Sequence, residues 1–165
     1  MAGGAVGLGV LMVILSLPLP DIGSWMRGSR REPAAASYDI PAIKARVTSF
    51  RLYESGEGRS PLNKRKYGHI FAKSQTRYVN WEVNLEHPPL QRRNDFTLNA
   101  IWYRADGTTL IQQSLQSYVE SGRHSSYHGH GLGAKKLDSY WQTGSYRIDL
   151  YADGKKIASD SFEVR

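Results

Sequence analysis

Residues 140–164 read YWQTGSYRIDLYADGKKIASDSFEV and contain the clearest local structure in the chain. Three apolar residues alternate with polar ones in the first half of this stretch: Tyr146, Ile148 and Leu150. Such alternation is typical of a β-strand with one buried face. The dipeptide Asp153-Gly154 follows, and it favours a type I′ turn because both residues tolerate a positive φ. The stretch therefore predicts a β-hairpin that closes the domain.

The returning half of this hairpin is less regular. Ile157 is out of phase with Phe162 and Val164, so one extra residue has to be accommodated within the strand. We expect a β-bulge near residues 158–161.

Period-two alternation recurs upstream of the hairpin. It predicts strands around residues 78–85 and 96–102, a first strand whose buried phase shifts at a bulge near Thr48 and Ser49, and a short strand at 69–72. A turn at 105–107 leads into a long strand that ends near Val119. The expected core consists of Val79, Trp81, Val83, Phe96, Leu98, Trp102, Tyr146, Ile148, Leu150 and Phe162.

Two polar segments separate these strands and are predicted to be loops. Residues 56–66 contain two glycines, a proline and four basic residues, and residues 121–136 have four glycines in their first thirteen positions. Glu82 and Glu86 fall on the polar side of their strand, so both are expected on its solvent face.

Seven or eight strands with almost no helix indicate an all-β fold. We predict an antiparallel β-sandwich over residues 43–165, and a closed barrel is the alternative. The chain of 165 residues has room for one such domain and a tail.

The closing hairpin also carries a resemblance to a known family. Trp141, Gly144 and Tyr146, followed by the strand that ends at Val164, are similar to the W-x-x-G-x-Y closing hairpin of immunoglobulin-like accessory domains in bacterial envelope proteins. The resemblance implies an immunoglobulin-like sandwich that binds or scaffolds other proteins, and it carries over no catalytic residues. The cysteine pair of antibody domains is absent.

The N-terminal segment predicts a membrane anchor. Residues 1–20 contain no charged side chain, and an apolar helix reaching Trp25 would approach the length needed to cross a bilayer. We expect an uncleaved anchor or signal over residues 1–27, a linker over 28–42, and a single-pass protein of the inner membrane with a periplasmic domain. Arg27, Arg30 and Arg31 argue for the opposite orientation, and cleavage is the alternative to retention.

The composition excludes several kinds of chemistry and favours one class of partner. The chain has no cysteine, which excludes disulfides and thiolate chemistry, and its net charge of +7 favours anionic partners. No nucleophile elbow, phosphate-binding loop or convincing carboxylate pair is present, so we expect no enzymatic activity and no cofactor.

His124, His128 and His130 form the sharpest candidate metal site, with the spacing H-x-x-x-H-x-H. Three neutral imidazoles could bind Zn²⁺ or Cu²⁺. The competing interpretation is a glycine-rich loop with polar imidazoles, favoured because no acidic residue lies nearby in sequence to orient the rings.

These observations predict a non-catalytic, membrane-anchored interaction or scaffolding subunit of a bacterial membrane protein assembly. Its partners would be other subunits of that assembly, the bilayer and anionic lipid headgroups, whereas the basic residues alone make a weak case for nucleic acid. The candidate contact residues are Arg92, Arg93, Tyr127 and Tyr140, chosen because tyrosine and arginine are enriched in binding hot spots. The alternative function is a metal- or ligand-binding envelope module that uses the histidine segment.

Overall fold

Alternating apolar residues organise the structure into strands, as the sequence predicts. The structure, a computed structural model, describes residues 39–40, 43–57, 60–137 and 139–165, all within one unit of the chain, 32–165. The predicted anchor (1–27) and nearly all of the predicted linker (28–42) lie outside the described residues. Within the described ranges, no helix is both long and apolar enough to cross a membrane.

The described residues form two sheets. One sheet has the strand order β1-β2-β4-β7 and the other has the order β3-β9-β8-β5-β6. The strands are β1 (Asp39–Ile40), β2 (Ala45–Ser55), β3 (Ile70–Phe71), β4 (Tyr78–Glu86), β5 (Asn94–Arg104), β6 (Thr109–Val119), β7 (Ser125–Gly133), β8 (Gly144–Ala152) and β9 (Lys155–Val164). A short 3₁₀ helix spans Leu62–Lys64.

Among the described strands, every pair is antiparallel except one. β3 pairs parallel to the end of β9, which corrects the expectation of a wholly antiparallel sandwich. The two-residue β3 lies alongside the C-terminal strand because Phe71 is buried there in edge-to-face contact with Phe162, with ring centroids 5.7 Å apart.

The core lies between the two sheets. All ten predicted core residues are buried. Trp141, from the closing motif, joins them and contacts Trp102 at 6.0 Å, Phe162 at 5.4 Å and Tyr146 at 5.1 Å between ring centroids. Tyr146 Oη donates a hydrogen bond of 2.8 Å to the Gln142 carbonyl, so the motif fixes the start of the hairpin as well as filling the core.

The predicted turn and the first predicted bulge are confirmed. Asp153 and Gly154 have φ values of 47° and 81°, and the pairing register of β2 shifts between Val47 and Ser49. The bulge in β9 lies at Ile157, one residue before the predicted range, since Leu150 pairs with Ala158 and Tyr151 with Lys156. A bulge at that position lets both Ile157 and Ala158 be buried.

The prediction of a loop at 121–136 is wrong. Residues 125–133 form β7, which pairs with β4 along nine residues. Glycine allows this strand to approach β4 closely, because an added Cβ at Gly129 would lie 2.6 Å from the Trp81 carbonyl oxygen.

Candidate interaction surface

Polar side chains project from the outer face of the four-stranded sheet. The register places Arg51 opposite Glu82 and Tyr53 opposite Asn80 across β2 and β4. On the other side of β4, the positions opposite Glu82 and Asn80 are Gly129 and Gly131, which contribute no side chain. The face therefore carries side chains over β2 and none at these two positions of β7.

Glu82 is buried on this face, which corrects its predicted place in solvent. Its side chain is 2 % exposed, whereas Glu86, four residues further on, is exposed as predicted. Both side chains lie on the face of the strand that the alternation predicts. The difference is the segment 60–68, called here the pinned loop, which covers Glu82.

Four donors converge on the Glu82 carboxylate. Oε2 accepts a hydrogen bond from Arg65 Nη1 of the pinned loop. Oε1 accepts hydrogen bonds from Arg51 Nη2 at 3.1 Å and Tyr67 Oη at 3.2 Å. Asn84 Nδ2 donates to the same oxygen at 3.3 Å. A buried carboxylate requires this kind of compensation because ionised groups lose their hydration when they are covered.

The pinned loop is attached to the sheet by aromatic and main-chain contacts as well. The Arg65 guanidinium lies 4.7 Å from the centre of the Tyr53 ring, and that of Arg51 lies 4.0 Å from the centre of the Tyr67 ring. Tyr67 forms an isolated β-bridge with Tyr53, and the Gly68 amide donates to the Leu52 carbonyl at 3.0 Å. The loop thus continues the edge of β2.

The outward side of the pinned loop is basic with one apolar residue. Leu62 is 52 % exposed, and Asn63, Lys64 and Lys66 are exposed beside it, whereas the Arg65 side chain is only 7 % exposed. Arg51 with Lys64, Arg65 and Lys66 gives four positive charges against the single negative charge of Glu82, a local excess of +3. The surface is suited to an anionic partner.

The predicted contact residues Arg92 and Arg93 lie in the segment between β4 and β5. Arg92 is exposed and borders a depression of about 440 Å³ with Leu90, Gln91 and Asn94. Arg93 forms an ion pair of 2.8 Å with Asp95 and stacks on Tyr118 at 3.8 Å. The hydrogen bond to Asp95 raises the pKa of the Arg93 guanidinium.

The other two predicted contact residues lie elsewhere. Tyr127 is 54 % exposed on β7 opposite Asn84, beside a depression of about 320 Å³. Tyr140 precedes β8 and packs edge-to-face on Trp141 at 5.2 Å, and burial raises the pKa of its hydroxyl.

The four predicted residues do not form one patch. Arg93 precedes the start of β5, whereas the start of β8, which follows Tyr140, pairs with the end of β5 at Arg104. An eleven-residue strand is roughly 33 Å long. Arg92 and Arg93 therefore lie at the opposite end of the sandwich from Tyr140.

The three histidines are not gathered as ligands of one ion. His124 is exposed before β7, whereas His128 lies in the strand opposite Val83, in the phase that faces the other sheet. His128 shares hydrogen bonds with Ser117 Oγ at 2.6 Å and Ser126 Oγ at 2.8 Å. In the part of the chain that the structure describes, no three His, Cys, Asp or Glu side chains are placed to hold a metal ion.

The basic loop can be identified in the sequence, but its attachment to Glu82 cannot. The only available signals were the phase of Arg51 and Glu82 on neighbouring strands and the aromatic residue next to the basic run. Neither shows that residue 65 folds onto residue 82.

No protein-family profile matches the chain, and no curated protein matches it. An immunoglobulin-like protein from Pseudomonas aeruginosa is similar in structure, with 12 % identity and a TM-score of 0.44 over 76 % of this chain and 99 % of that one. An alkylpurine DNA glycosylase from Pseudomonas fluorescens has 9 % identity and a TM-score of 0.47 over 74 % of this chain. A β-D-glucoside glucohydrolase from Trichoderma reesei has 11 % identity and a TM-score of 0.46 over 78 % of this chain.

The chain spans 31 % of the glycosylase and 20 % of the glucohydrolase. The architecture is given by the two sheets of this chain. The described residues are an all-β domain with mainly antiparallel pairing.

Proposed function

We propose that the chain is a non-catalytic, membrane-anchored interaction subunit of a bacterial membrane protein assembly, and that the pinned loop is its main contact surface. The domain is proposed to be an immunoglobulin-like sandwich on the periplasmic side of the inner membrane. The two-sheet arrangement and the W-x-x-G-x-Y hairpin support the domain type, and the uncharged residues 1–20 support the anchor.

The single observation that carries this proposal is the burial of Glu82 beneath the pinned loop. A basic loop that serves solubility alone does not need a fixed conformation. Burying a carboxylate is unfavourable unless its partners compensate, so the network around Glu82 is an arrangement that fixes the position of the loop. A loop held in one conformation loses less conformational entropy on binding, which favours recognition.

The exposed residues of the pinned loop indicate the kind of partner. Leu62 provides an apolar contact, and Lys64 and Lys66 surround it with positive charge. Arg51 and Tyr67 add residue types that are enriched in binding hot spots. The complementary surface is an acidic patch of a partner protein with an apolar centre.

Co-purification tests this proposal. The tagged full-length chain is expressed in its native host and recovered from membranes in mild detergent, as wild type and as Lys64→Glu/Lys66→Glu. Both lysines are exposed, so the change reverses charge without removing the contacts of Glu82. We expect wild type to retain specific protein partners. The amount of partner protein recovered with the double variant should be at least tenfold lower.

The matched control is Arg123→Glu/Lys136→Glu, which makes the same change in charge at exposed positions outside the pinned loop. It should retain the partners. Equal loss in both double variants would show that only net charge matters. Recovery of wild type as a lone polypeptide that binds Zn²⁺ through His128 and His130 would overturn the proposal in favour of the metal-binding alternative.

A further inference from the structure

The edges of the two sheets differ in how they are protected. β1 and β3 are edge strands of two residues each, and β7 contains three glycines. β6 is an edge strand of eleven residues, TLIQQSLQSYV, without a charged residue, proline or glycine. Charged side chains, proline, short length and β-bulges are the usual devices that prevent association at sheet edges, and β6 has only a register shift at Leu110, near its start.

One side of β6 is open to a further strand. It pairs with β5 from Asn94 to Tyr103, and among the described residues no strand lies on its other side. In antiparallel pairing, alternate residues direct their N–H and C=O groups away from the neighbour. About half of the main-chain groups of β6 therefore point outward as a template for another strand.

The edge is also held rigidly. Gln113 Oε1 accepts a hydrogen bond from Trp102 Nε1 at 3.0 Å, and Gln113 Nε2 donates to the Gly131 carbonyl of β7 at 3.3 Å. Ser117 of β6 shares a hydrogen bond with His128 of β7. These links between the two sheets keep β6 extended, so β6 loses little conformational entropy when it pairs with another strand.

We propose that β6 pairs antiparallel with β6 of a second copy of this chain, with Ser114 on the twofold axis. Ser114 is the central residue of the eleven, so this register pairs the regular part of the strand, residues 111–117, and forms about six to eight main-chain hydrogen bonds. The two five-stranded sheets then become one continuous sheet of ten strands.

The side chains of β6 are compatible with this self-pairing. Gln112 of one copy lies opposite Gln116 of the second copy, and such amide pairs exchange hydrogen bonds across strands. The domain belongs to a chain of net charge +7, yet β6 brings no charge to the contact, so no like charges meet within the paired strands. Ile111 and Tyr118, the exposed large apolar residues of β6, would both lose exposure.

Disulfide trapping tests the pairing directly because the chain contains no cysteine. The full-length Ser114→Cys variant is oxidised mildly in detergent solution. Opposed residues in antiparallel strands have Cα atoms about 4.5 to 5.5 Å apart, which is within the range that a disulfide spans. We expect a covalent dimer on non-reducing gels, with a circular dichroism spectrum equal to that of wild type.

Two single-cysteine controls fix the position and register. Ser145 lies on the outer face of β8, away from the edge, so Ser145→Cys should form no cross-link and should run as a single chain on non-reducing gels. Gln112→Cys should also fail to cross-link, because the symmetry mates would be four residues apart along the strand, roughly 13 Å.

Charge reversal at the same position provides an independent test. Ser114→Lys and Ser114→Glu each place like charges opposite each other and should raise the dimer dissociation constant at least tenfold, as measured by light scattering. Mixing the two variants should restore the dimer, and Ser145→Lys should leave it unchanged. A wild type that remains monomeric up to 100 µM, or equal cross-linking of Ser114→Cys and Ser145→Cys, would overturn the proposal.

Discussion

A single residue, Glu82, connects the pinned loop with the sheet. Its carboxylate receives two guanidinium groups, a phenol and an amide, which together satisfy both of its oxygens. Arg65 is the partner that is most deeply buried with it, since Arg51 is half-exposed. We therefore expect Arg65 to contribute most to the stability of this network.

Arg65→Met should reduce the free energy of unfolding by about 3 kcal/mol, because it leaves Glu82 buried with fewer donors. Urea denaturation of the full-length chain measures the change. Lys64→Met, at the neighbouring exposed position, should change the free energy by less than about 0.5 kcal/mol. Combining Arg65→Met with Glu82→Leu should recover most of the loss. If Arg65→Met costs no more than Lys64→Met, the buried pair does not hold the loop.

The sequence predicted the phase of Glu82 but not its burial. Alternation along β4 shows which residues share a face, and it says nothing about what covers that face. The cover comes from a loop that joins β2 to β3, and the contact of Arg65 with Glu82 links residues 17 positions apart. The same limit applies to the histidines, because their spacing is visible in the sequence but the placement of His128 and His130 in a strand is not.

Among the strands, β7 was not predicted from the sequence. Its three glycines lie on the outer face and its inner face carries His128, His130 and a single large aliphatic residue, Leu132, so it lacks an apolar alternation. By contrast, β4, β5 and β8 alternate clearly and were predicted. The glycines are required by close approach to β4, a contact between residues about 48 positions apart.

Gly129→Ala should destabilise the domain by about 1 to 3 kcal/mol, because the new methyl group would meet the Trp81 carbonyl at 2.6 Å and force the strands apart. The thermal midpoint from circular dichroism should fall accordingly. Gly68→Ala is the matched control, since an added Cβ there has nothing within 4 Å, and it should be neutral or slightly stabilising. Equal effects of the two substitutions would contradict the close packing of β7 on β4.

In the molecule as a whole, the residues of the core could be predicted from the sequence, whereas the pairing of the edge strand β3 could not. The ten predicted core residues follow from alternation, which is a local property of each strand. The parallel pairing of β3 with β9 depends on contacts over about ninety residues, which alternation does not encode. The membrane anchor at 1–27, its orientation and the partner remain predictions from sequence.

The contacts of Glu82 hold the pinned loop against the sandwich, so that the loop presents a fixed basic surface. Hydrogen–deuterium exchange of the full-length chain, read by mass spectrometry, measures whether the loop is held in place. The amides of Lys64, Arg65 and Gly68 are hydrogen-bonded and should exchange at least tenfold more slowly than in an unstructured peptide. Glu82→Ala should remove that protection and leave peptides of β8 protected. Unprotected exchange of these amides in wild type, or protection that does not depend on Glu82, would show that Glu82 does not fix the pinned loop.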